Sequence, residues 1–279
     1  MHFQISDYQK SPYKPKGYQW QEGPGDWDRL LAKQDGLSVV STNKELGLLN
    51  SDGSLIWEKK TICPSIPSKA FISDNGILVL SRTEDYHAWG FLGPALFIDL
   101  TSGKIIKEVK GQKGLALDDG KFLVGLEGYD YFETWLYDDK GNLLQEWRSY
   151  GYYLLTENQD IIVIEQDRRT PTNSHLVRLK TDGNIQKGFK LDSCSASEPL
   201  ILNKGIFAFV NSGNLKVVDK DLNLIEQLNL LNISERETWR FQSKIRWKGE
   251  QIEVELTERT KEPPLVYTQH LWSITIKNT

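Results

Sequence analysis

The chain has 279 residues, 39% of them hydrophobic and 26% charged, which suffices for one large all-β domain or two smaller ones with a sizeable core. Its formal net charge of -4 offers no general attraction for nucleic acid or anionic membranes, since both require clustered Lys and Arg. The first segment, "MHFQISDYQKSPYKPKGYQW", lacks the charged start and continuous apolar run of a secretory signal, and no later segment is apolar over the thickness of a bilayer. The expectation is therefore a cytoplasmic chain that engages neither membrane nor nucleic acid.

Residues 1–28 read as a closing strand and a linker, the strand being "HFQIS" (2–6) or else "YQWQEG" (18–23). From residue 29 to 279 a unit recurs. Its first half sets a polar or glycine turn between two apolar strands: "LLAKQDGLSVVS" (30–41), "AFISDNGILVLS" (70–81), "LALDDGKFLVGL" (115–126), "YLLTENQDIIVI" (153–164), "LILNKGIFAFV" (200–210) and "KIRWKGEQIEVEL" (244–256). Its second half is clearest in "LGLLNSDGSLIWEKK" (46–60), "LFIDLTSGKIIKEVK" (96–110), "TWLYDDKGNLLQEWR" (134–148), "HLVRLKTDGNIQKGF" (175–189) and "LKVVDKDLNLIEQLN" (215–229). The turn glycines are Gly53, Gly103, Gly141 and Gly183, with Asn223 taken as the equivalent in the fifth copy. Gly and Asn enter left-handed backbone most cheaply, as a tight hairpin requires.

Gly36 and Gly76 lie 40 residues apart, and Gly205 and Gly249 lie 44 apart. A period near forty with four strands per unit predicts an all-β single domain, a β-propeller of six blades, with seven possible, each of four antiparallel strands. A β-sandwich or a pair of barrels would also use short strands and glycine turns, but neither requires the same phrase six times. The sixth unit ends one strand short, so the N-terminal strand is expected to complete it and close the ring, protecting an open edge.

The phrase resembles the repeat of the quinoprotein-type (PQQ-like) β-propellers, in which an apolar strand leads through an Asp and a Gly turn to an apolar pair and a Trp. "LLNSDGSLIWEKK" with Trp57 matches best and "LYDDKGNLLQEW" with Trp147 next, whereas Glu108 stands where a third Trp would fall. The resemblance implies the fold only; function must come from a site.

No recognisable reaction chemistry is present. HExxH, GxSxG, P-loop, Rossmann and EF-hand patterns are all missing. His2, His87, His175 and His270 fall in different units without ligand spacing, and His175 and His270 read as ordinary strand-end histidines. The pairs Asp118/Asp119 and Asp138/Asp139 sit where Asp favours turns. Cys63 and Cys194 are the 2 cysteines; with no CxxC spacing and three blades between them, they are expected to be free thiols. No metal, no cofactor and no catalytic residue is expected.

The long loops set the chain apart. "TEDYHAWGFLGPA" (83–95), "EGYDYFE" (127–133), "QDRRTPTNS" (166–174) and "TERTKEPPLVYTQ" (257–269) should share one face with the connections "SYGYY" (149–153) and "NISERETW" (232–239). That face would gather Glu84, Asp85, Tyr86, His87, Trp89, Phe91, Glu127, Tyr129, Asp130, Tyr131, Phe132, Glu133, Tyr150 and Tyr152, with Arg168 and Arg169 as its basic exception. Aromatic residues interleaved with acids suit a protein interface, where Tyr and Trp anchor and charge steers a basic partner. The expected function is non-enzymatic protein binding by a monomer, akin to the immunity proteins that neutralise bacterial toxins or effectors by occlusion. The alternatives are an enzyme or small-ligand binder acting at the central channel, and a scaffold subunit of a larger assembly.

Overall fold

The structure, a computed structural model, describes residues 2–15, 21–60, 66–82, 94–117, 119–127, 132–148, 150–157, 160–165, 174–192, 196–203, 205–231, 238–260 and 262–277. Its strands form six antiparallel sheets of four. Strand β1 (His2–Pro12) comes first in the chain. Sheet one holds β2 (Arg29–Gln34), β3 (Leu37–Ser41), β4 (Glu45–Leu49) and β5 (Leu55–Lys60). Sheet two holds β6 (Ile66–Ile72), β7 (Gly76–Arg82), β8 (Ala95–Asp99) and β9 (Ile105–Val109). Sheet three holds β10 (Lys113–Ala116), β11 (Phe122–Glu127), β12 (Phe132–Tyr137) and β13 (Leu143–Arg148). Sheet four holds β14 (Tyr150–Glu157), β15 (Asp160–Glu165), β16 (His175–Leu179) and β17 (Ile185–Lys190). Sheet five holds β18 (Leu200–Asn203), β19 (Ile206–Asn211), β20 (Asn214–Asp219) and β21 (Leu224–Asn229). Sheet six holds β22 (Thr238–Lys248), β23 (Gln251–Thr260) and β24 (Tyr267–Lys277), with β1 as its fourth strand.

Each strand's place follows from its pattern. The second and third strands are apolar on both faces and buried on both, as Val39 and Val40 in β3 and Leu48 and Leu49 in β4 show. Fourth strands are largely exposed: in β5 the side chain of Trp57 is buried while Leu55 and Ile56 beside it are exposed. Between successive sheets the closest strands include first strands, β2 against β6 and β18 against β22, so the first strands converge and the fourth strands form the outer rim. This is the arrangement of a β-propeller.

Five apolar clusters join the sheets in succession. Val39 and Leu48 of sheet one meet Ile77 and Ile98 of sheet two, and Leu78 and Phe97 of sheet two meet Phe122 and Val124 of sheet three. Leu123 and Trp147 meet Ile161 and Val177 of sheet four, Ile164 and Leu176 meet Phe207 and Phe209 of sheet five, and Val210 and Leu215 meet Val254 and Trp272 of sheet six. Phe3 of β1 belongs to that last cluster, so the N-terminal strand is fastened by packing as well as by its ladder, which runs from His2 opposite Lys277 to Pro12 opposite Thr268. Of the two candidate strands it is the first that completes the sheet. On the far face of sheet one, the Trp27 ring lies so close to Gly47 that any Cβ there would meet it at 2.5 Å.

The third-to-fourth-strand turns of sheets one, two, three and five share one device, while in sheet four Lys180 stands in its place and Asp182 within the turn accepts from Asn184 N–H. An Asp or Asn at the end of the third strand accepts hydrogen bonds from the turn's own backbone: Asp138 Oδ1 takes the N–H groups of Lys140 (3.0 Å) and Asn142 (2.7 Å). Asp219 Oδ1 does the same for Asp221 and Asn223, both at 2.8 Å. The residue three places after Asp138 is Gly141 at φ 74°, and three places after Asp219 it is Leu222 at φ 66°. Leu222, not Asn223, thus fills the glycine's place, and it tolerates the left-handed backbone because its side chain is buried in the cluster with Phe207 and Val218.

The structure also realigns the tryptophans. Trp57 stands opposite Leu48, and its counterparts on the ladder are Lys107, opposite Phe97, and Gln145, opposite Leu136. Each reaches the turn glycine of the next sheet: Trp57 covers Gly103, Lys107 covers Gly141 and Gln145 covers Gly183. Trp57 donates its Nε1–H to Leu100 O at 2.8 Å, and Lys107 Nζ donates to Gly141 O at 2.7 Å. The position matched to Trp is therefore Lys107 rather than Glu108, and Trp147 lies two residues beyond it. What repeats is a bridge from rim strand to neighbouring turn, made by different chemistry each time.

Two outcomes are expected. Hydrogen bonds from Ser102 hold Asp99 below the usual carboxylate value, and those from Asn184 do so for Asp182; at Asp138 and Asp219 such bonds outweigh burial, which pushes the other way. Depressed native values mean stability present above the ordinary Asp range and lost as pH falls through it, so urea midpoints should decline steadily from pH 5 to pH 3, and less in Asp138→Asn. Leu222→Gly relieves the backbone but empties a buried site, and should lower unfolding free energy by about 2 kcal/mol in denaturant titration; a gain would mean that backbone strain dominates there.

Candidate functional site

Of the residues expected to gather on one face, Glu84, Asp85, Tyr86, His87, Trp89, Phe91, Tyr129, Asp130, Tyr131, Arg168 and Arg169 lie outside the described residues, as do Cys63 and Cys194. The rest fall on strand backbone. Glu127 ends β11 and pairs with Phe132, and Leu126 pairs with Glu133 at the start of β12. Tyr150 and Tyr152 are not in a connecting loop: both belong to β14, where Tyr150 pairs with Glu165. β14 approaches β11 and β12, so the structure brings the strand of Tyr150 and Tyr152 beside those that carry Glu127, Phe132 and Glu133.

The segment 257–269 also departs from expectation. β23 continues to Thr260 and β24 begins at Tyr267, leaving a short turn in place of a long loop. The ladder persists there through Thr257 opposite Gln269, Glu258 opposite Thr268 and Arg259 opposite Tyr267. Thr260 fastens the turn: its N–H donates to Val266 O at 3.0 Å, its Oγ1 accepts from Val266 N at 2.9 Å, and its hydroxyl donates to Pro264 O at 3.1 Å. Leu265 and Val266 at the tip are 46% and 52% exposed. Sheet six, with strands of 10 and 11 residues, is therefore extended toward the face that carries the second-to-third-strand loops.

That extension holds a hydrogen-bonded series that the sequence did not reveal. His270 is 1% exposed, with Tyr8 Oη 2.8 Å from its Nδ1 and Glu258 Oε1 3.0 Å from its Nε2. Burial of the Tyr8 ring, then the Glu258 carboxylate, raise the phenol above its usual value, so Tyr8 keeps its proton at neutral pH. The tautomer that satisfies both contacts has Tyr8 donating to Nδ1 and Nε2–H donating to Glu258. Trp272 completes the site, its ring centroid 5.2 Å from Tyr8 and 5.6 Å from His270, both near parallel. His270 is thus not an ordinary strand-end histidine: both ring nitrogens are committed, and through Tyr8 it ties β1 to β24. The signal lay in pairing "HFQISDYQKSP" against "YTQHLWSITIK", which sets Tyr8 opposite Trp272 and Lys10 opposite His270.

Elsewhere, His175 Nδ1 lies 3.3 Å from Glu165 Oε2, which Lys187 also approaches at 3.0 Å. Among the described residues no three His, Cys, Asp or Glu side chains are grouped to hold a metal ion, and no helix is long and apolar enough to cross a membrane.

No family model matches the chain, and no curated protein matches it in sequence. Solved structures similar to it include the WD40 domain of SCAP from fission yeast, at 8% identity over 93% of this chain and 69% of that one, with a TM-score of 0.47. The Pan2 WD40 domain of Neurospora crassa is similar at 12% identity over 88% and 74%, TM-score 0.44. A protein of unknown function from Bacteroides caccae is similar at 11% identity over 77% and 81%, TM-score 0.43. At these identities the likeness concerns the fold alone, and the fold is compatible with protein binding.

Replacing Tyr8 by Phe should keep the ring stack but strand the buried Nδ1, at a cost of about 1 kcal/mol. Amide exchange should accelerate along β1 and β24 with the other sheets unchanged; uniform acceleration would contradict a local fastening.

Proposed function

We propose that this chain is a non-enzymatic, cytoplasmic protein-binding propeller, a monomer when free, that neutralises a toxin or effector by covering a basic surface of it. The observation that carries the reading is the extended sixth sheet. Its end presents exposed Leu265 and Val266, and the 46% exposed Tyr8 ring, at the face to which the acidic and aromatic segments of residues 83–95 and 127–133 connect. Exposed apolar anchors favour a desolvated centre, and acids on the loop segments would steer the approach of a basic partner. The Tyr8–His270–Glu258 series is a fastening in this reading, because a histidine with both nitrogens bonded and almost no exposure has no free position from which to take a substrate proton.

The test is recovery of the tagged protein from its host with mass spectrometry of what accompanies it. One stoichiometric partner bearing a toxin or effector domain is expected, lost when Glu84, Asp85 and Asp130 are replaced by Lys and weakened by about tenfold in Leu265→Ala/Val266→Ala. Recovery that is unchanged by both sets of substitutions would remove this face from consideration.

A further inference from the structure

The extension of sheet six carries more than a fastening requires. A tie between β1 and β24 needs one donor and one acceptor, yet three side chains stand there in sequence: a phenol, an imidazole and a carboxylate. Tyr8 Oη lies 2.8 Å from His270 Nδ1, and Glu258 Oε1 lies 3.0 Å from His270 Nε2. The order is that of nucleophile, base and orienting acid, each at hydrogen-bond distance from the next.

Exposure is divided as that order demands. His270 is 1% exposed and Tyr8 46%, so the phenol meets solvent while the base behind it is shielded. The imidazole is also fixed in its plane. Trp272 stacks on it at 5.6 Å and 12°, and Tyr8 stacks on Trp272 at 5.2 Å, while the Glu258 carboxylate selects the tautomer that leaves Nδ1 as acceptor. An imidazole so held has one proton to receive, that of Tyr8 itself. Once it has done so, Glu258 faces an imidazolium across 3.0 Å and stabilises it. Burial, and then Glu258, keep Tyr8 a neutral phenol, so its oxygen becomes nucleophilic only as the proton departs. Lys10 stands directly opposite His270 on the ladder, two residues along β1 from Tyr8 and on the same side of the strand. An ammonium is thereby set beside the negative charge that develops on an electrophile attacked there.

We propose that Tyr8 is a site of covalent modification, an acceptor of acyl groups from activated esters, with His270 as its general base and Glu258 as a positioning residue. In the transfer, Tyr8 Oη bonds to the carbonyl carbon of the ester, and the bond from that carbon to the leaving oxygen breaks. The phenolic proton passes to His270 Nδ1 and from there to the departing oxygen. An ester and a tyrosine thus become a tyrosyl ester and a free alcohol, with no further reactant. The Glu258 carboxylate opposes a multiply charged phosphoryl donor and leaves a neutral acyl donor favoured. One group is taken up per chain without turnover, so the modification goes beyond the protein-binding reading and does not depend on it.

The probe is p-nitrophenyl acetate, added to the intact protein, with acetylated residues located by peptide mass spectrometry. Acetylation of Tyr8 is expected well ahead of Tyr13, just beyond β1, and more slowly in D2O than in H2O. His270→Gln should slow it about a hundredfold and abolish the solvent isotope effect. Glu258→Gln keeps an acceptor for Nε2–H but loses the charge, and should slow it at least about tenfold while amide exchange along β1 stays unchanged. The sign of the His270→Gln effect discriminates even if that variant frays β1: a phenol that reacts merely because it is exposed would then react faster. Labelling of Tyr8 no faster than that of Tyr13, or unchanged or accelerated in His270→Gln, overturns the proposal. Neither result bears on the protein partner, whose capture is read separately.

Discussion

Burial of apolar side chains between the faces of successive sheets is the constraint on which everything else depends. A single four-stranded sheet with both faces apolar has no core of its own, so Val39 and Leu48 are buried only because Ile77 and Ile98 stand across from them. The same holds from Phe97 with Phe122 through to Val210 with Trp272. Sheets two to five are each at once half of two cores, and the repeat length is set by what four strands need to supply both halves. The bridges from rim strands to neighbouring turns, Trp57 on Gly103 and Lys107 on Gly141, fix the rotation of one sheet against the next and allow their residues to vary, since only reach is required.

Charge follows the same geometry. Carboxylates gather where turns need an acceptor, as at Asp99, Asp138 and Asp219, and there their N–H partners stabilise the ionised form. On the first strands, by contrast, Glu157 is the one acid while Lys and Arg recur.

Much of this was legible in the sequence because turn chemistry and two-residue periodicity are local properties. The glycines at 53, 103, 141 and 183 all take positive φ, and "HFQIS" supplies the fourth strand of sheet six as its pattern indicated. What escaped was set by partners distant along the chain. Asn223 looked like a turn residue by type, but burial against Phe207 lets Leu222 hold the left-handed position. Trp147 was matched to Trp57 by identity, although the ladder equates Trp57 with Gln145. Tyr150 and Tyr152 were read as loop because glycine and tyrosine interrupt the apolar run, yet β14 runs through both and its pairing with β15 reaches Tyr150 opposite Glu165. His270 could not be weighed before Tyr8 was known to lie across from its strand. Of the aromatic and acidic face, only the strand-borne residues Glu127, Phe132, Glu133, Tyr150 and Tyr152 fall where geometry can be described.

The pairing of residues 2–12 with 267–277 also bears on how the chain is made. During synthesis β1 emerges before the other strands of these sheets and its ladder partner β24 after them, so the sixth sheet cannot assemble until the other five have been translated, whereas each of those can form as soon as its own four strands exist. In the interval β1 is an unpaired strand, and it is built to wait: a register break between Ile5 and Asp7 bends it, and Lys10 and Pro12 discourage a foreign strand from adding to it. Completion of the sixth sheet is thereby tied to the arrival of β24, and an interrupted product would carry five sheets and four shared cores with the last apolar face, the one that Phe3 and Trp272 cover, open to quality control.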